Sequence, residues 1–210
     1  MKPSFLYFDL GNVLLSFSHD RMCAQMAAVA GVEPAVVRRA LFEATGETSV
    51  QWRFERGDLN ALAVYEHFCE AAGVRPDREE LFAAGSDMFA EIPASVAIIE
   101  RLADSGRRLG VLSNTNPIDW GFVTSGRFPF LNRCFEQAAL SFELRAMKPD
   151  RAIFDAAVAR AGVPSNEVFF TDDREENVAG ALAAGLDAVL FTSPEQLAAD
   201  LRERGLELKN

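Results

Sequence analysis

Four short stretches of this chain hold residues able to do chemistry, and each stands where a strand would end. Asp9 closes the apolar run Phe5-Leu6-Tyr7-Phe8, and Gly11 and Asn12 follow at once, so the backbone can turn sharply beside the carboxylate. Ser113 and Asn114, then Thr115 and Asn116, follow Leu109-Gly110-Val111-Leu112; small hydroxyl and amide groups there can donate hydrogen bonds to an anion. Lys148 precedes Pro149-Asp150 at the start of a helical pattern, where a cation opposes the helix dipole and needs another reward. Asp172 and Asp173 follow Val168-Phe169-Phe170-Thr171, and a hard cation is the simplest remedy for the repulsion between adjacent carboxylates. Each stretch also has a plain structural reading. Asp9 can cap a turn, Ser113-Asn114 can be a turn, Lys148 can be a solvated lysine, and Asp172-Asp173 can cap a helix. Four such features at the ends of strands of one sheet point instead to a shared site.

The elements that must position these residues are legible from hydrophobic pattern. Strand-like runs at 5–8, 109–112, 168–171 and 188–191, with a weaker one at 137–141, alternate with helical patterns such as 94–104 and 151–160. Strands alternating with helices imply βαβ units, hence an α/β fold: a doubly wound, Rossmann-like parallel sheet with helices on both faces. Ligands of such sheets bind at the carboxyl ends of the strands, where these candidate residues stand. Residues 17–88 break the rhythm. They show helical periodicity at 19–30, 34–44, 61–72 and 78–89, punctuated by Gly31, Gly46, Gly57 and Gly73 as helix stops, and no convincing apolar strand. The expected division is therefore a core of residues 1–16 and 90–210, with an all-helical cap of residues 17–89 inserted after the first strand. An insertion springing from just beyond Asp9 would cover the crevice as a lid does.

Composition bounds the function. The 210 residues are 49% hydrophobic and 25% charged, enough for a packed core. A net charge of −10 argues against nucleic acid or an anionic membrane as partner. An anionic ligand would need a local positive site or a metal. Cys23, Cys69 and Cys134 have no paired spacing, which fits buried thiols in a reducing cytoplasm. The N-terminus lacks the apolar stretch of a signal peptide, and no segment is apolar for the length of a membrane span. The expectation is a soluble cytoplasmic protein, monomeric or dimeric.

In order and approximate spacing, Phe8-Asp9-Leu10-Gly11-Asn12, Leu112-Ser113-Asn114-Thr115, Lys148-Pro149-Asp150 and Phe170-Thr171-Asp172-Asp173 resemble the four motifs of the haloacid dehalogenase-like hydrolases. Ser141-Phe142-Glu143-Leu144 and Phe54-Glu55-Arg56-Gly57-Asp58-Leu59 look most like the branch holding sugar-phosphate phosphatases and the phosphatase domain of soluble epoxide hydrolases. The resemblance implies a phosphoric monoester phosphatase in which Asp9 attacks phosphorus and forms an aspartyl-phosphate. It implies a magnesium ion held by Asp9, the Gly11 carbonyl and Asp172, with Asp173 nearby. It implies further that Ser113, Asn114 and Lys148 bind the phosphoryl oxygens, Lys148 also keeping Asp9 ionised. The expected partner is a small phosphorylated molecule such as a sugar phosphate.

The sequence departs from that pattern at Gly11, where phosphatases of the superfamily usually have an Asp acting as general acid and then base. Two alternatives follow: a 2-haloacid dehalogenase that needs no metal, or a weakly active phosphate-binding protein. A good leaving group, as in a sugar 1-phosphate, would reduce the deficit. So would a replacement among Ser16, Ser18, His19 and Asp20, although His19 better suits a surface or capping role and Asp20 suits a helix start. In the cap, Trp52, Arg53, Phe54 and Arg56 either meet a sugar or form cap core with arginines paired to Glu55 or Asp58. Trp120 either borders the pocket or packs a helix.

Overall fold

The computed structural model describes residues 2–44 and 48–207. In chain order its strands are β1 (Phe5–Phe8), β2 (Leu15–Phe17), β3 (Phe89–Glu91), β4 (Leu109–Ser113), β5 (Gln137–Leu140), β6 (Val168–Asp172) and β7 (Asp187–Leu190). The helices before β4 are α1 (His19–Ala30), α2 (Pro34–Phe42), α3 (Val50–Glu55), α4 (Ala61–Ala72), α5 (Arg78–Ser86) and α6 (Pro93–Asp104). Those after it are α7 (Pro117–Phe122), α8 (Pro129–Cys134), α9 (Ser141–Leu144), α10 (Arg151–Ala161), α11 (Glu175–Ala183) and α12 (Pro194–Glu203).

β1 is apolar throughout because it is buried on both faces, the pattern of a central parallel strand. It pairs in parallel with β4 on one side and β6 on the other, giving the order β5-β4-β1-β6-β7. Its side chains alternate between two cores. Leu6 and Phe8 join residues of α6, α8 and α12, whereas Phe5 and Tyr7 join Ile153, Phe154 and Ala157 of α10 and Val178 and Ala181 of α11. The sheet is thus doubly wound, as the alternation of strand and helix patterns predicts. After β5 the chain crosses to β6 on the far side of β1, so the switch point lies at the carboxyl ends of β4, β1 and β6.

α1 to α5 enclose a separate apolar core that includes Met22, Met26, Val37, Phe54, Phe68 and Leu81. Gly31 and Gly73 close α1 and α4 in left-handed conformations, as helix stops do; Gly46 lies outside the described residues. The periodicity missed α3, a six-residue helix, and it missed a two-stranded ribbon. β2 pairs antiparallel with β3, Ser16 opposite Ala90 and Phe17 opposite Phe89, so the two connections to the helical layer run side by side. Three-residue strands whose partner lies over seventy residues away leave no local period to read. Among the described residues, no helix is long and apolar enough to cross a membrane.

A second attachment joins this layer to the sheet. The Ser141 hydroxyl at the start of α9 donates to the Glu55 carbonyl at 2.6 Å and accepts from Thr115 N at 2.9 Å, while Arg145 Nη2 donates to the Gly57 carbonyl at 3.3 Å. Gly57 has φ +79°, and a Cβ there would stand 2.3 Å from the Phe142 carbonyl oxygen. Only glycine allows this approach. Gly73, at φ +69°, faces nothing within 4 Å, so it isolates the cost of handedness alone, on the order of 1–2 kcal/mol for an L-residue. In urea unfolding, Gly73→Ala should lose about that amount and Gly57→Ala clearly more. Equal losses would mean that the contact with Phe142 contributes nothing.

Candidate active site

Asp9, Ser113 and Asp172 stand at or just past the carboxyl ends of β1, β4 and β6, because neighbouring parallel strands in this register end together. Lys148 reaches them from the loop before α10. Its ammonium is buried and surrounded by three oxygens: Asp9 Oδ1 at 2.7 Å, Asp172 Oδ2 at 2.5 Å and the Leu112 carbonyl at 3.0 Å. Here is the reward that a lysine near a helix start requires. Burial alone would pull the ammonium pKa down, but the two carboxylates outweigh it and the net shift is upward. Burial raises the pKa of Asp9; Lys148 opposes that shift and Asp172 adds to it.

Each partner is itself held. The Asn114 side chain accepts from Lys148 N at 2.8 Å and donates to Lys148 O at 3.0 Å, tying the β4 end to the lysine backbone. Asp172 Oδ1 accepts from Arg174 N at 3.0 Å and from Asn177 Nδ2 at 2.9 Å, the latter within the first turn of α11. Asp173 accepts from Asn12 Nδ2 at 3.0 Å; Asn12 sits at φ 55°, a left-handed conformation that asparagine tolerates. Oxygens of Asp9, Asp172 and Asp173 all lie within 4.8 Å of one another. Three carboxylates therefore face one ammonium, an excess of negative charge made of hard oxygen donors. This donor set fits magnesium.

Over these residues opens a cavity of about 660 Å³, lined from the sheet side by Asp9, Gly11, Ser113, Asn114, Lys148 and Asp173. The helical layer supplies Phe17, His19, Phe42, Trp52, Glu55 and Phe89. Trp52 faces in, with the Arg56 guanidinium 5.1 Å from its ring centroid. Arg53, about 100° further round the helix, is exposed and does not line the cavity, so the expected pairing of Trp52 with Arg53 on a substrate is not what the helix presents. Phe54 belongs to the core of the helical layer, and Arg56 lies 3.8 Å from Asp58. Trp120 packs against the core beneath the sheet and does not border the cavity.

Of Ser16, Ser18, His19 and Asp20, His19 alone lines the cavity, its ring 5.2 Å from that of Phe17 and 4.8 Å from that of Phe42. Ser18 caps α1, Ser16 donates to the Ala90 carbonyl, and Asp20 pairs with Arg38. At Gly11 the obstacle to a side chain is Phe17: a Cβ would stand 2.9 Å from its ring. The space where an acid two residues after Asp9 would begin is filled by an aromatic ring.

Three carboxylates that sequence reasoning did not assign to the site also line the cavity: Asp119, Glu55 and Glu176, the last paired with Arg174. Asp119 accepts from Ser86 Oγ and Asn116 Nδ2, both at 2.6 Å. Glu55, at the end of α3, accepts from Gln51 Nε2 at 2.8 Å. Burial lifts the Glu55 pKa to about 7; the Gln51 hydrogen bond and Arg174 oppose the shift, while Asp119 adds to it. Glu55 lay inside a recognisable motif, but its burial depends on packing against the sheet, which no local pattern encodes.

The sequence profile of haloacid dehalogenase-like hydrolases matches residues 6–185. A D-ribitol-5-phosphate phosphatase of Bacteroides thetaiotaomicron is 25% identical over 177 residues, covering 82% of this chain and 84% of that protein. The fold is similar to that of a HAD family enzyme of the same organism, solved with magnesium and inorganic phosphate. The TM-score is 0.77 at 24% identity, over 90% of this chain and 93% of that one. It also resembles L-2-haloacid dehalogenase from Xanthobacter autotrophicus with chloropropionic acid covalently bound, at TM-score 0.62 and 18% identity, over 96% and 83%.

Two stability measurements check this electrostatic reading. Lys148→Met strands two buried carboxylates and should cost about 3–5 kcal/mol in urea unfolding, with part of the loss returned by adding Asp172→Asn. No recovery in the double variant would refute the pairing. For Glu55, the folded pKa of about 7 lies above the ordinary 4.5, so its contribution to stability is full below 4.5 and is lost as pH rises to 7. Glu55→Gln should therefore gain stability relative to the parent between pH 5 and pH 7.5. A pH-independent difference would contradict it.

Proposed function

This chain belongs to the haloacid dehalogenase-like hydrolases, and we propose that it is a magnesium-dependent phosphatase of small phosphorylated metabolites, acting through an aspartyl-phosphate on Asp9. The carrying observation is the excess of carboxylate charge at the strand ends, three clustered acids against the one buried ammonium of Lys148. A phosphate dianion could not enter such a site unaided, since like charges 4 Å apart repel by about 4 kcal/mol at an effective dielectric of 20. Magnesium held by Asp9, the Gly11 carbonyl, Asp172 and Asp173 would supply the positive charge that lets two anions meet. A 2-haloacid dehalogenase working without metal has no use for this acidic set, which counts against the alternative.

The remaining roles follow from position. Asp9, fixed by Lys148, would direct one carboxylate oxygen at phosphorus. Ser113 and the backbone after it would donate to the phosphoryl oxygens as charge shifts during transfer. With its three contacts already taken by protein oxygens, Lys148 serves first to keep Asp9 ionised and aimed. Residues 17–89 would act as a cap over the core formed by 1–16 and 90–210, with Trp52, Phe17, Phe42 and His19 as the wall against which the organic part of the substrate rests. A sugar or polyol phosphate fits a cavity whose helical-layer wall combines aromatic rings with Glu55, with Asp119 also in the lining. The relative that acts on D-ribitol 5-phosphate supports that class. The three buried thiols fit a reducing cytoplasm.

Phosphate release from a panel of sugar phosphates, sugar 1-phosphates included, tests this reading. Activity should require magnesium, vanish with EDTA and return on adding the metal, and Asp9→Asn should abolish turnover with the fold intact. Turnover that survives EDTA, or survives Asp9→Asn, would sink it.

A further inference from the structure

The phosphatase reading leaves a proton unaccounted for. An alkoxide is a poor leaving group, and the position two residues after Asp9 holds no acid and has no room for one while Phe17 stays in place. Something else must protonate the leaving oxygen, or the substrate must not need it. A replacement has to meet three conditions: it lines the cavity that Asp9 lines, it is held in place by structure other than the substrate, and it is not committed to holding a metal.

Glu55 meets them. Its carboxylate lines the same cavity as Asp9, Ser113 and Lys148, entering from the helical layer and so from the side where the organic part of a substrate would lie. Its backbone is fastened to the sheet by Ser141 Oγ at 2.6 Å, and that same hydroxyl accepts from Thr115 N, two residues past Ser113. The close approach of Gly57 to Phe142 fixes the following turn. Glu55 is therefore referenced to the end of β4, as Ser113 is, although 58 positions of sequence separate the two. Of its carboxylate oxygens, one accepts from Gln51 Nε2.

We propose, resting on the phosphatase reading, that Glu55 is the general acid and base of this enzyme and does the work of the acid absent at Gly11. In the first half-reaction an Asp9 oxygen bonds to phosphorus, the bond from phosphorus to the leaving oxygen breaks, and the Glu55 proton passes to that oxygen to give the free alcohol. In the second, Glu55 as carboxylate takes a proton from water as the water oxygen bonds to phosphorus. The bond from phosphorus to Asp9 breaks, inorganic phosphate leaves, and Glu55 is protonated again for the next cycle. Its environment suits a group that must hold and release a proton near neutrality. The charged groups facing it are Asp119, from α7, which favours the protonated form, and Arg174, from the loop after β6, which opposes it. Asp119 itself is bound to Ser86 and Asn116, with both oxygens engaged, and is the less available acid. With Glu55 in this role, ordinary alkyl phosphates come within reach and the substrate need not carry an activated leaving group.

Leaving-group dependence separates this role from a structural one. With D-ribitol 5-phosphate, whose alkoxide needs a proton, Glu55→Gln should lower kcat/KM by about 100- to 10,000-fold. With acetyl phosphate, whose carboxylate leaves unaided, the fall should be only several-fold. The wild-type protein gives a second reading that needs no variant: kcat/KM for the alkyl phosphate should decline as pH rises past neutrality, with no matching decline for acetyl phosphate. Equal losses on both substrates, or no loss on the alkyl phosphate, would overturn the assignment, as would a wild-type enzyme that hydrolyses acetyl phosphate but no alkyl phosphate. A wild-type enzyme releasing phosphate from neither substrate would bring down the phosphatase reading and the role of Glu55 with it.

Discussion

One buried ammonium holds this site together. Lys148 joins the ends of β1 and β6 through Asp9 and Asp172, touches the end of β4 through the Leu112 carbonyl, and has its backbone clamped by Asn114. Three strands of the switch point thus meet on one nitrogen. Burial raises the pKa of Asp9 and the ammonium opposes that shift, and a charged Asp9 is what the proposed nucleophilic attack requires. The lysine also bridges the two halves of the sheet at their carboxyl ends. Its loop comes from beyond β5, on one side of β1, and its second acid comes from β6, on the other.

The helical layer is joined to that centre in two places. The β2–β3 ribbon joins it beside the first turn after Asp9, and the α3 end joins it at Ser141 and Phe142. Each attachment places something in the cavity: the ribbon brings Phe17 and Phe89, and the α3 end brings Trp52 and Glu55. The sheet thus contributes the carboxylates and Lys148, and the helical layer contributes the aromatic wall together with Glu55, so in the proposed reaction both walls of the cavity take part.

Much of this was legible in the sequence because strand ends are local events. Asp9, Ser113 and Asp172 each terminate an apolar run, and parallel strands of similar length bring such termini together whatever lies between them. The helices at 19–30 and 61–72 were equally plain, since a 3.6-residue period closed by glycine is written in consecutive residues. What could not be read depends on contacts between distant segments. The ribbon needs Ser16 to meet Ala90; the inward turn of Trp52 and outward turn of Arg53 depend on which face α3 lays on its neighbours; the raised pKa of Glu55 depends on burial that no local pattern encodes. That Lys148 would touch two acids at once was hidden for the same reason, although its awkward position ahead of a helix signalled that some partner existed.

The ring of Phe17 beside Gly11 has a consequence for how this protein can change. Any side chain introduced at position 11 meets that ring before it meets a substrate, and Phe17 belongs to the ribbon that carries one end of the helical layer. The two positions are therefore coupled: an acid at 11 requires the Phe17 ring to shift, and that ring forms part of the cavity wall. A change to an arrangement with an acid at position 11 therefore involves both the turn after β1 and the ribbon that leads to the helical layer.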